Sequence, residues 1–258
     1  MMGRISRKLR QIRTFYRHSA TPLALSLDVL RLKRRPFVAV TRDGLKLEIS
    51  PGGGESFTFY EIVLNRDYFR GGVTLKPGDT VVDVGSNIGC FSILAGSMVG
   101  PSGRVIAFDP MPPMLERLVA NARLNDLRNV QGRCVAIDEK EGTLTLRWTH
   151  KNDRASAYML DGPTLGTTTS PCWTMDQVFR EYRIDRINLL KIDCEGSEYG
   201  IFESLSPESA GRIDQIAMEV HPMQGKSPEA LRVRLEELGF EIIQLGYPWI
   251  AMRRDRPA

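Results

Sequence analysis

The stretch Val81-Val-Asp-Val-Gly-Ser-Asn-Ile-Gly89 decides the fold. Its apolar run ends at Gly85, which predicts a short buried strand. Residues 88–99 then predict a helix, and Gly100 is a typical helix stop. Strands and helices keep alternating from here toward the end of the chain. Repeated units of this kind predict an α/β fold, with a mostly parallel sheet covered by helices on both faces.

The other elements of this region are predicted from the same periodicities. Strands are predicted at residues 105–108, 130–137, 187–192, 213–220, 240–245 and 249–252. Helices are predicted at residues 112–124, 174–182 and 227–239, and the last two begin with capping signals. Residues 143–148 alternate like an additional edge strand, and a polar loop is predicted from Thr149 to Ser170.

Charge is distributed unevenly over the 258 residues, whose formal net charge is +4. Residues 1–35 contain ten Lys or Arg and one Asp, so their net charge is +9 and that of the remainder is −5. Apolar side chains recur between the basic ones at helical spacing and predict a basic amphipathic arm: Ile5, Leu9, Ile12 and Tyr16. Two interpretations stay open. Either the arm docks on an anionic membrane or on nucleic acid, or it packs on the body with its charges in water.

Residues 36–75 complete the predicted N-terminal extension. Two alternating stretches flank Arg42-Asp43-Gly44, a typical hairpin turn, and residues 57–64 predict a short helix. Three residues before the sheet are candidates for a lid or an acceptor contact, with aromatic packing as the alternative: Tyr60, Glu61 and Tyr68. The chain is therefore predicted to divide into an arm, a hairpin segment and an α/β domain, at residues 1–35, 36–75 and 76–258.

Composition excludes several classes of protein. The chain is 42% hydrophobic and 26% charged, as in ordinary globular proteins, and has no uncharged apolar run of about 18 residues that would cross a membrane. Its four cysteines and three histidines lack the spacing of zinc ligands or of a disulfide framework. The N-terminus lacks the apolar core of a secretory signal. We therefore expect a cytoplasmic protein with reduced thiols, in peripheral contact with a membrane if the arm docks there.

Acidic residues stand at the ends of five predicted strands of the sheet: Asp83, Asp109, Asp138, Asp193 with Glu195, and Glu219. Ligands of open parallel sheets bind at the carboxyl ends of the strands, so a site is expected there. In the first loop, Gly85 allows the backbone to approach a ligand, and Asn87 tolerates a left-handed conformation.

The glycines of this loop argue against a nicotinamide cofactor. Only Gly85 and Gly89 are present, whereas dinucleotide sites carry G-x-G-x-x-G. A turn lined by acids suits a cofactor with a cationic end, such as S-adenosylmethionine. Asp109 is placed to accept hydrogen bonds from both ribose hydroxyls, and its alternative role is to cap the helix at 112–124.

Three segments together resemble FkbM-type class I methyltransferases: Val81–Ser92, Ala107–Pro110 and Leu190-Lys-Ile-Asp-Cys-Glu-Gly-Ser-Glu198. The last segment is the most specific, and the resemblance covers residues 57–223. It implies a Rossmann-like fold whose seven-stranded, mostly parallel sheet has an antiparallel last strand, here with the helical and hairpin extension added. It also implies methyl transfer from S-adenosylmethionine, usually to a hydroxyl oxygen of a sugar, polysaccharide or secondary metabolite. Asp109 departs from the family, which more often has Glu there.

Site residues follow from the resemblance by position. The implied cofactor residues are Asp83, Gly85, Ser86, Asn87 and Gly89 at the methionine end, Asp109 at the ribose, and Ala136 and Asp138 at the adenine. Asp193 and Glu195 are implied to lie beside the transferred methyl group. A hydroxyl acceptor needs a base, and our hypothesis is Asp193 or His221. The alternatives are a surface or capping role for His221 and a salt bridge or helix-end role for Glu195. Asp193 and Glu195 could hold a divalent metal, but nothing in the sequence requires one, so no metal is predicted.

Three other functions compete with a methyltransferase acting on a small molecule or glycan. An RNA methyltransferase would use the basic arm as a clamp, but the acidic body and the lack of an aromatic basic stripe near the site disfavour nucleic acid. A degenerate fold serving as a scaffold is disfavoured by the intact acids at the strand ends. A nicotinamide-dependent oxidoreductase is disfavoured by the glycine spacing.

Overall fold

The structure is a computed structural model that describes residues 2–148, 155–156 and 166–255. Its helices are α1 Met2–His18, α2 Pro22–Val29, α3 Glu55–Thr58, α4 Cys90–Val99, α5 Pro112–Leu124, α6 Met175–Glu181, α7 Glu198–Ser204, α8 Pro207–Ala210 and α9 Pro228–Glu237. A π-helix Phe59–Leu64 and a 3₁₀ turn Asp67–Phe69 lie between α3 and the main sheet. The strands are β1 Phe37–Val40, β2 Lys46–Ile49, β3 Thr80–Val84, β4 Arg104–Phe108, β5 Val130–Arg133, β6 Ala136–Ile137, β7 Gly142–Trp148, β8 Ala155–Ser156, β9 Gly166–Trp173, β10 Leu189–Ile192, β11 Gln215–Met218, β12 Phe240–Gln244 and β13 Trp249–Arg253.

The main sheet has seven strands in the order β12-β13-β11-β10-β3-β4-β5. Strands β3, β4, β5, β10 and β11 pair in parallel, and β13 runs antiparallel between β11 and β12. The predicted Rossmann-like sheet with an antiparallel last strand is therefore confirmed. Because β3, β10 and β11 are neighbours that run parallel, their carboxyl ends lie together at one edge of the sheet.

Alternate residues of each central strand face opposite sides of the sheet. On one side, Val82 and Leu190 pack in a core with residues of α6, α7 and α9. On the other side, Val81 and Leu189 pack in a second core with residues of α4 and of the N-terminal extension. Both faces of the central strands are buried, which explains why these strands are apolar without interruption.

The two predicted helix caps are confirmed. The hydroxyl of Thr174 accepts a hydrogen bond from the amide of Gln177, and that of Ser227 accepts one from Ala230. Such contacts satisfy amides that a helix leaves without an intrahelical partner.

Three predictions about residues 130–170 were wrong. Residues 130–137 are not one strand: β5 joins the main sheet, whereas β6 joins a second sheet of order β6-β9-β7-β8. Strand β7 is not an edge of the main sheet, since it pairs with β8 and β9 in the second one. Residues 166–170 of the predicted polar loop belong instead to β9, whose threonines are β-branched and suit a half-exposed strand. The rest of that predicted loop lies outside the described residues, apart from 155–156.

The N-terminal extension has the predicted helix and hairpin. In α1, Gln11 and Phe15 are buried against the body, and the Phe15 ring meets Tyr60 edge-on at 6.2 Å. Strands β1 and β2 pair antiparallel in a sheet of their own. The predicted short helix is present as α3 and the π-helix. The division into arm, lid and methyltransferase domain stays a prediction. None of the described helices combines the length and the apolar character that a membrane span requires.

Candidate active site

A cleft of about 1520 Å³ lies at the carboxyl edge of the main sheet, where the strand-end acids predicted a site. Eight of the predicted site residues line it: Gly85, Ser86, Asn87, Asp109, Ala136, Asp193, Glu195 and His221. The structure does not bring Asp83, Gly89 or Asp138 to the cleft wall. Their placement therefore differs from the one that the resemblance implied.

Asp83 is fully buried in β3, and its carboxylate interacts with other residues of the protein. Its carboxylate lies 2.9 Å from the ammonium nitrogen of Lys191 and accepts a hydrogen bond from the hydroxyl of Ser92 at 2.5 Å. Lys191 also donates to the carbonyl oxygen of Gly85 at 2.8 Å. Two neighbouring strands, β3 and β10, are thus held together at the point where the cleft begins. Asp83 supports the loop that lines the site and does not contact the cleft.

Gly89 and Asp138 are also structural. Gly89 precedes α4 with φ of +92°, and a Cβ atom there would lie 3.0 Å from the Leu118 side chain. It permits α4 and α5 to pack closely. Asp138 accepts a hydrogen bond from the Ser197 hydroxyl at 2.9 Å, and a Cβ on Gly200 of α7 would lie 2.4 Å from its carboxylate. Asp138 therefore anchors α7 behind the cleft.

The loop after β3 presents backbone and small side chains to the cleft. Gly85 has φ of +76°, and a Cβ there would lie 1.8 Å from the backbone oxygen of Asp193. Gly85 therefore allows the loop after β3 to lie close to the end of β10 as well as to the cleft. Asn87 adopts the predicted left-handed conformation, with φ of +49°. The hydroxyl of Ser86 is buried and has no hydrogen-bond partner among the described residues.

Asp109 closes β4 with its carboxylate on the cleft wall. Its oxygens accept hydrogen bonds from the amides of Asn87 at 2.8 Å and Met111 at 2.9 Å. Burial raises the pKa of Asp109 to about 6, against the lowering by these two amides. Met111, not Asp109, is the N-cap of α5. Each carboxylate oxygen has a second lone pair, so Asp109 can accept two further hydrogen bonds from a ligand.

One end of the cleft is apolar. Its walls come from β6 and β7 and from the loop after β4, and include Ala136, Ile137, Leu144, Leu146 and Pro110. An apolar part of a ligand is favoured there, because burial of apolar surface contributes about 25 cal/mol per Å².

The opposite end holds a histidine fixed by a buried carboxylate. Nδ1 of His221 lies 2.7 Å from Oε1 of Glu198, whose side chain is fully buried. The other oxygen of Glu198 accepts the amide of Gly196 at 2.9 Å. His221 is 8% exposed, so it is not a surface histidine. With Nδ1 occupied, Nε2 is the nitrogen that remains for chemistry in the cleft.

Three carboxylates surround that nitrogen. Nε2 of His221 lies 3.6 Å from Glu219, 3.7 Å from Glu195 and 3.9 Å from Asp193. Burial lowers the pKa of His221, but the hydrogen bond and charge of Glu198, with the charges of Asp193 and Glu195, raise it to about 9. A proton on His221 is therefore well stabilised.

Comparison with known proteins shows to which family this chain belongs. Residues 83–242 match the family model described as the methyltransferase FkbM domain. The chain belongs to the FkbM methyltransferase family. It is 30% identical to the 31-O-demethyl-FK506 methyltransferase FkbM of Streptomyces tacrolimicus, over 74% of this chain and 84% of that protein.

Two further matches are a multidomain synthetase and a solved structure. The chain is 28% identical to the AMB antimetabolite synthetase AmbE of Pseudomonas aeruginosa over 72% of its length, but it spans only 10% of that synthetase. A solved structure, methyltransferase FkbM from Methylobacillus flagellatus, superposes with a TM-score of 0.49 at 12% identity, covering 79% of this chain and 56% of the other.

S-adenosylmethionine, the methyl donor that the FkbM family implies, fits the residues of the cleft. The buried hydroxyl of Ser86 has no hydrogen-bond partner in the described part of the chain, and the Asp109 carboxylate has lone pairs that accept no hydrogen bond there. The apolar end beside Ala136 suits an adenine ring. The acidic end suits a sulfonium, since carboxylates stabilise a nearby positive charge.

Sequence reasoning missed the roles of two residues in this FkbM site. Glu198 was part of the motif quoted for the resemblance, but nothing in the spacing showed that it would hold His221. Tyr68, a candidate for a lid or an acceptor contact with aromatic packing as the alternative, is 1% exposed and packs edge-on against Phe91. Its hydroxyl also donates to Asp193 at 3.0 Å, a contact that the sequence did not predict. Glu61 does line the cleft, as the prediction allowed. Burial, with the charges of Asp67, Glu219 and Asp193, raises its pKa to about 7, although the charge of Arg7 lowers it.

The same end of the cleft contains atoms that could ligate a cation. One ligand atom each from Asp193, Glu219 and His221 lie within 4.8 Å of one another. Oxygen and imidazole donors of this kind suit a divalent first-row metal. Glu195, not Glu219, was the second carboxylate considered from the sequence.

Proposed function

We propose that this chain transfers a methyl group from S-adenosylmethionine to a hydroxyl oxygen of an uncharged, hydroxyl-rich acceptor, such as a sugar, a polysaccharide or a secondary metabolite. The observation that carries the proposal is the buried Glu198–His221 pair, whose free nitrogen faces the cleft among carboxylates. The name of the Streptomyces relative, a 31-O-demethyl-FK506 methyltransferase, points to the same type of acceptor atom.

His221 is the base of the proposed reaction. An alcohol must lose its proton as its oxygen attacks, and a positioned side chain that takes the proton accelerates such steps by about 10²–10⁴-fold. Glu198 fixes the ring and receives Nδ1–H, which leaves Nε2 to take the proton. The charges of Asp193 and Glu195 then stabilise the imidazolium as it forms. Asp193 acts by this charge and by its position, held by Tyr68, rather than as the proton acceptor.

The cofactor residues would hold S-adenosylmethionine across the cleft. Asp109 would accept from the ribose hydroxyls, Ser86 would bond the methionine end, and the apolar wall beside Ala136 would bind the adenine. When bound, the cofactor supplies an electrophilic methyl group. The protein then mainly has to hold the acceptor oxygen in line with it, and alignment of reactants is worth up to about 7–11 kcal/mol.

Acidic and aromatic side chains line the acceptor end. Carboxylates accept hydrogen bonds from sugar hydroxyls, and Glu61 and Glu195 line the cleft together with Tyr247. Lys191 is the one Lys or Arg among the described residues of the lining, and its ammonium group is held by Asp83. Such a wall disfavours a polyanion, so RNA is a poor acceptor here.

The cofactor site is tested by calorimetric titration of the purified chain with S-adenosylmethionine and, separately, with NAD. We expect binding of the first only, and loss of that binding in Asp109→Ala. Asp185→Ala serves as the matched control, because Asp185 is fully exposed and its carboxylate lies 4.0 Å from its ion-pair partner Arg212. Equal affinity of Asp109→Ala and wild type would contradict the placement of the ribose.

The base is tested by methyl transfer to a panel of hydroxyl-rich acceptors. We expect His221→Ala to lose about 10²–10⁴-fold in kcat with its S-adenosylmethionine affinity kept. Asp193→Asn is expected to lose less, because it removes one of several charges. His18→Ala is the control, since His18 is exposed on α1. Wild-type turnover of His221→Ala would refute the assignment of the base, whatever the turnover of Asp193→Asn.

A further inference from the structure

Exposed apolar side chains are concentrated in the N-terminal extension. Among the described residues, ten large apolar side chains are exposed, and six of them lie between positions 9 and 38: Leu9, Tyr16, Leu23, Leu30, Leu32 and Val38. Single exposed apolar residues are ordinary, but a group of them marks an interaction surface. This region therefore presents apolar surface that the fold itself does not cover.

The outward side of α1 combines this apolar surface with positive charge. Leu9, Arg13 and Tyr16 follow one another at helical spacing, and all three are exposed, Leu9 by 62% and Tyr16 by 52%. Arg10 and Arg17 flank them and are exposed as well. We call these five residues the arm face. Leu9 and Tyr16 are not needed for packing, because the opposite side of the helix already packs on the body.

The inward side of α1 fixes the arm face to the rim of the cleft. Phe15 is fully buried and contacts Tyr60 of the π-helix, which also carries Glu61 of the cleft wall. Arg7 of α1 is close enough to Glu61 to lower its pKa. The arm is therefore held in a defined orientation beside the opening of the cleft, and does not behave as an independent tail.

Helix α2 is fixed to the rim in the same way. Its buried Asp28 accepts hydrogen bonds from the amide of Gly52 at 3.0 Å and from the hydroxyl of Ser56 at 2.5 Å. Gly52 lines the cleft. The exposed leucines at positions 23 and 30 therefore lie on an element that is anchored to the cleft rim.

We propose that the arm face docks on an anionic lipid bilayer and so holds the cleft rim at the membrane surface. Its arginines complement anionic headgroups, and Leu9 and Tyr16 enter the boundary between headgroups and acyl chains, as in helices that lie in the membrane plane. Nucleic acid would use the same positive charges but would leave Leu9 and Tyr16 in water. The inference does not depend on the reaction that the cleft catalyses.

Sedimentation of the full chain with lipid vesicles tests the proposal. We expect it to bind vesicles of phosphatidylcholine mixed with phosphatidylglycerol, to bind pure phosphatidylcholine weakly, and to be released by high salt, which screens surface charges. Each Lys or Arg near such a surface contributes about 1 kcal/mol. The triple variant Arg10→Gln/Arg13→Gln/Arg17→Gln is therefore expected to partition about a hundredfold more weakly. The control Arg123→Gln/Arg128→Gln neutralises exposed arginines outside the arm face and is expected to bind as the wild type does.

The apolar side chains separate a membrane from other partners. Leu9→Ser/Tyr16→Ser is expected to weaken vesicle binding at least tenfold, whereas Ile243→Ser, at an exposed residue of β12, is expected to leave it unchanged. Thermal unfolding of each variant checks the fold. The proposal is overturned if phosphatidylglycerol vesicles do not retain the chain, if the two serine substitutions leave retention intact, or if single-stranded RNA is bound with the same salt dependence and more tightly. Binding to neither surface, with a dimer in light scattering that the serine substitutions dissociate, would instead assign the face to a second copy.

Discussion

Glu198→Gln is the sharpest perturbation of the proposed base. The substitution keeps the size and the hydrogen-bonding atoms of the side chain but removes its charge. Glutamine can still accept the amide of Gly196, which now bonds to Oε2 of Glu198 at 2.9 Å. Opposite Nδ1 of His221, which lies 2.7 Å from Oε1 of Glu198, glutamine offers a neutral amide in place of the charged carboxylate. The expected change is therefore in the titration and orientation of one imidazole.

The size of the effect follows from the pKa of His221. At a pKa of about 9, about one imidazole in a hundred is neutral at pH 7, and kcat/KM rises about tenfold per pH unit until it levels off near pH 9. Without the charge of Glu198 the pKa falls toward its ordinary value of about 6.5, and Asp193 and Glu195 keep it somewhat above that value. The pH range over which kcat/KM rises therefore moves to lower values. The plateau also drops, by up to about 10⁴-fold, because the carboxylate that orients the base is gone.

The assay is the pH profile of kcat/KM for wild type and Glu198→Gln. The histidine titration is followed by NMR as an independent readout, in which His221→Asn assigns the signal among only three histidines. Glu203→Gln is the matched control, since that glutamate is half-exposed and pairs with Lys226. A wild-type profile that is flat between about pH 7 and pH 9 would refute the reasoning. An unchanged titration of His221 in Glu198→Gln would do the same.

Two further predictions concern the residues around this base. Asp83→Asn and Lys191→Met are each expected to lower the free energy of unfolding by about 3–5 kcal/mol in urea titrations, because each leaves the other charge buried without its partner. The double variant Asp83→Leu/Lys191→Met is expected to lower the free energy of unfolding by less than the sum of the two single variants, because it removes both charges. Losses below about 1 kcal/mol in both single variants would show that the pair is not buried as described. Dialysis against EDTA is expected to leave kcat unchanged, because the proposed proton acceptor is an imidazole. A loss restored by Mn²⁺ or Mg²⁺ would make His221 a metal ligand instead.

The sheet could be predicted from the sequence because its central strands are buried on both faces. Short uninterrupted apolar runs with a glycine nearby, such as those around Val82 and Leu190, predict buried strands. Strand β9 shows the opposite case. Its polar residues, three of them threonine, give no apolar periodicity, and only pairing with β7 makes them a strand. Pairing between strands that are distant in the sequence cannot be predicted from a local pattern of residues.

The position of the site could also be predicted, but not the direction of each side chain. Asp83 and Asp109 both end strands and both looked like ligand contacts. Asp83 is the fourth residue of β3, and its side chain meets Lys191 across the neighbouring strand. Asp109 follows the last residue of β4 and reaches the cleft. The register pairs Asp83 with Ala107, so Asp109 lies two positions farther toward the carboxyl edge, and the sequence alone does not show where a strand stops to that accuracy.

The motif after β10 shows how one short segment can serve both the sheet and the site. Lys191 points back to the buried carboxylate of β3, and Asp193, two residues later, reaches the cleft. The chain then turns through Glu195, a non-glycine residue with φ of +54°, and Gly196 with φ of +120°. A left-handed conformation at a residue with a side chain is uncommon and costs energy, so the surrounding structure must hold it there. This turn brings Glu198 back under His221 while the carboxylate of Glu195 stays 3.7 Å from its Nε2. The backbone at Glu195 therefore carries strain where two carboxylates must reach the same imidazole from different sides.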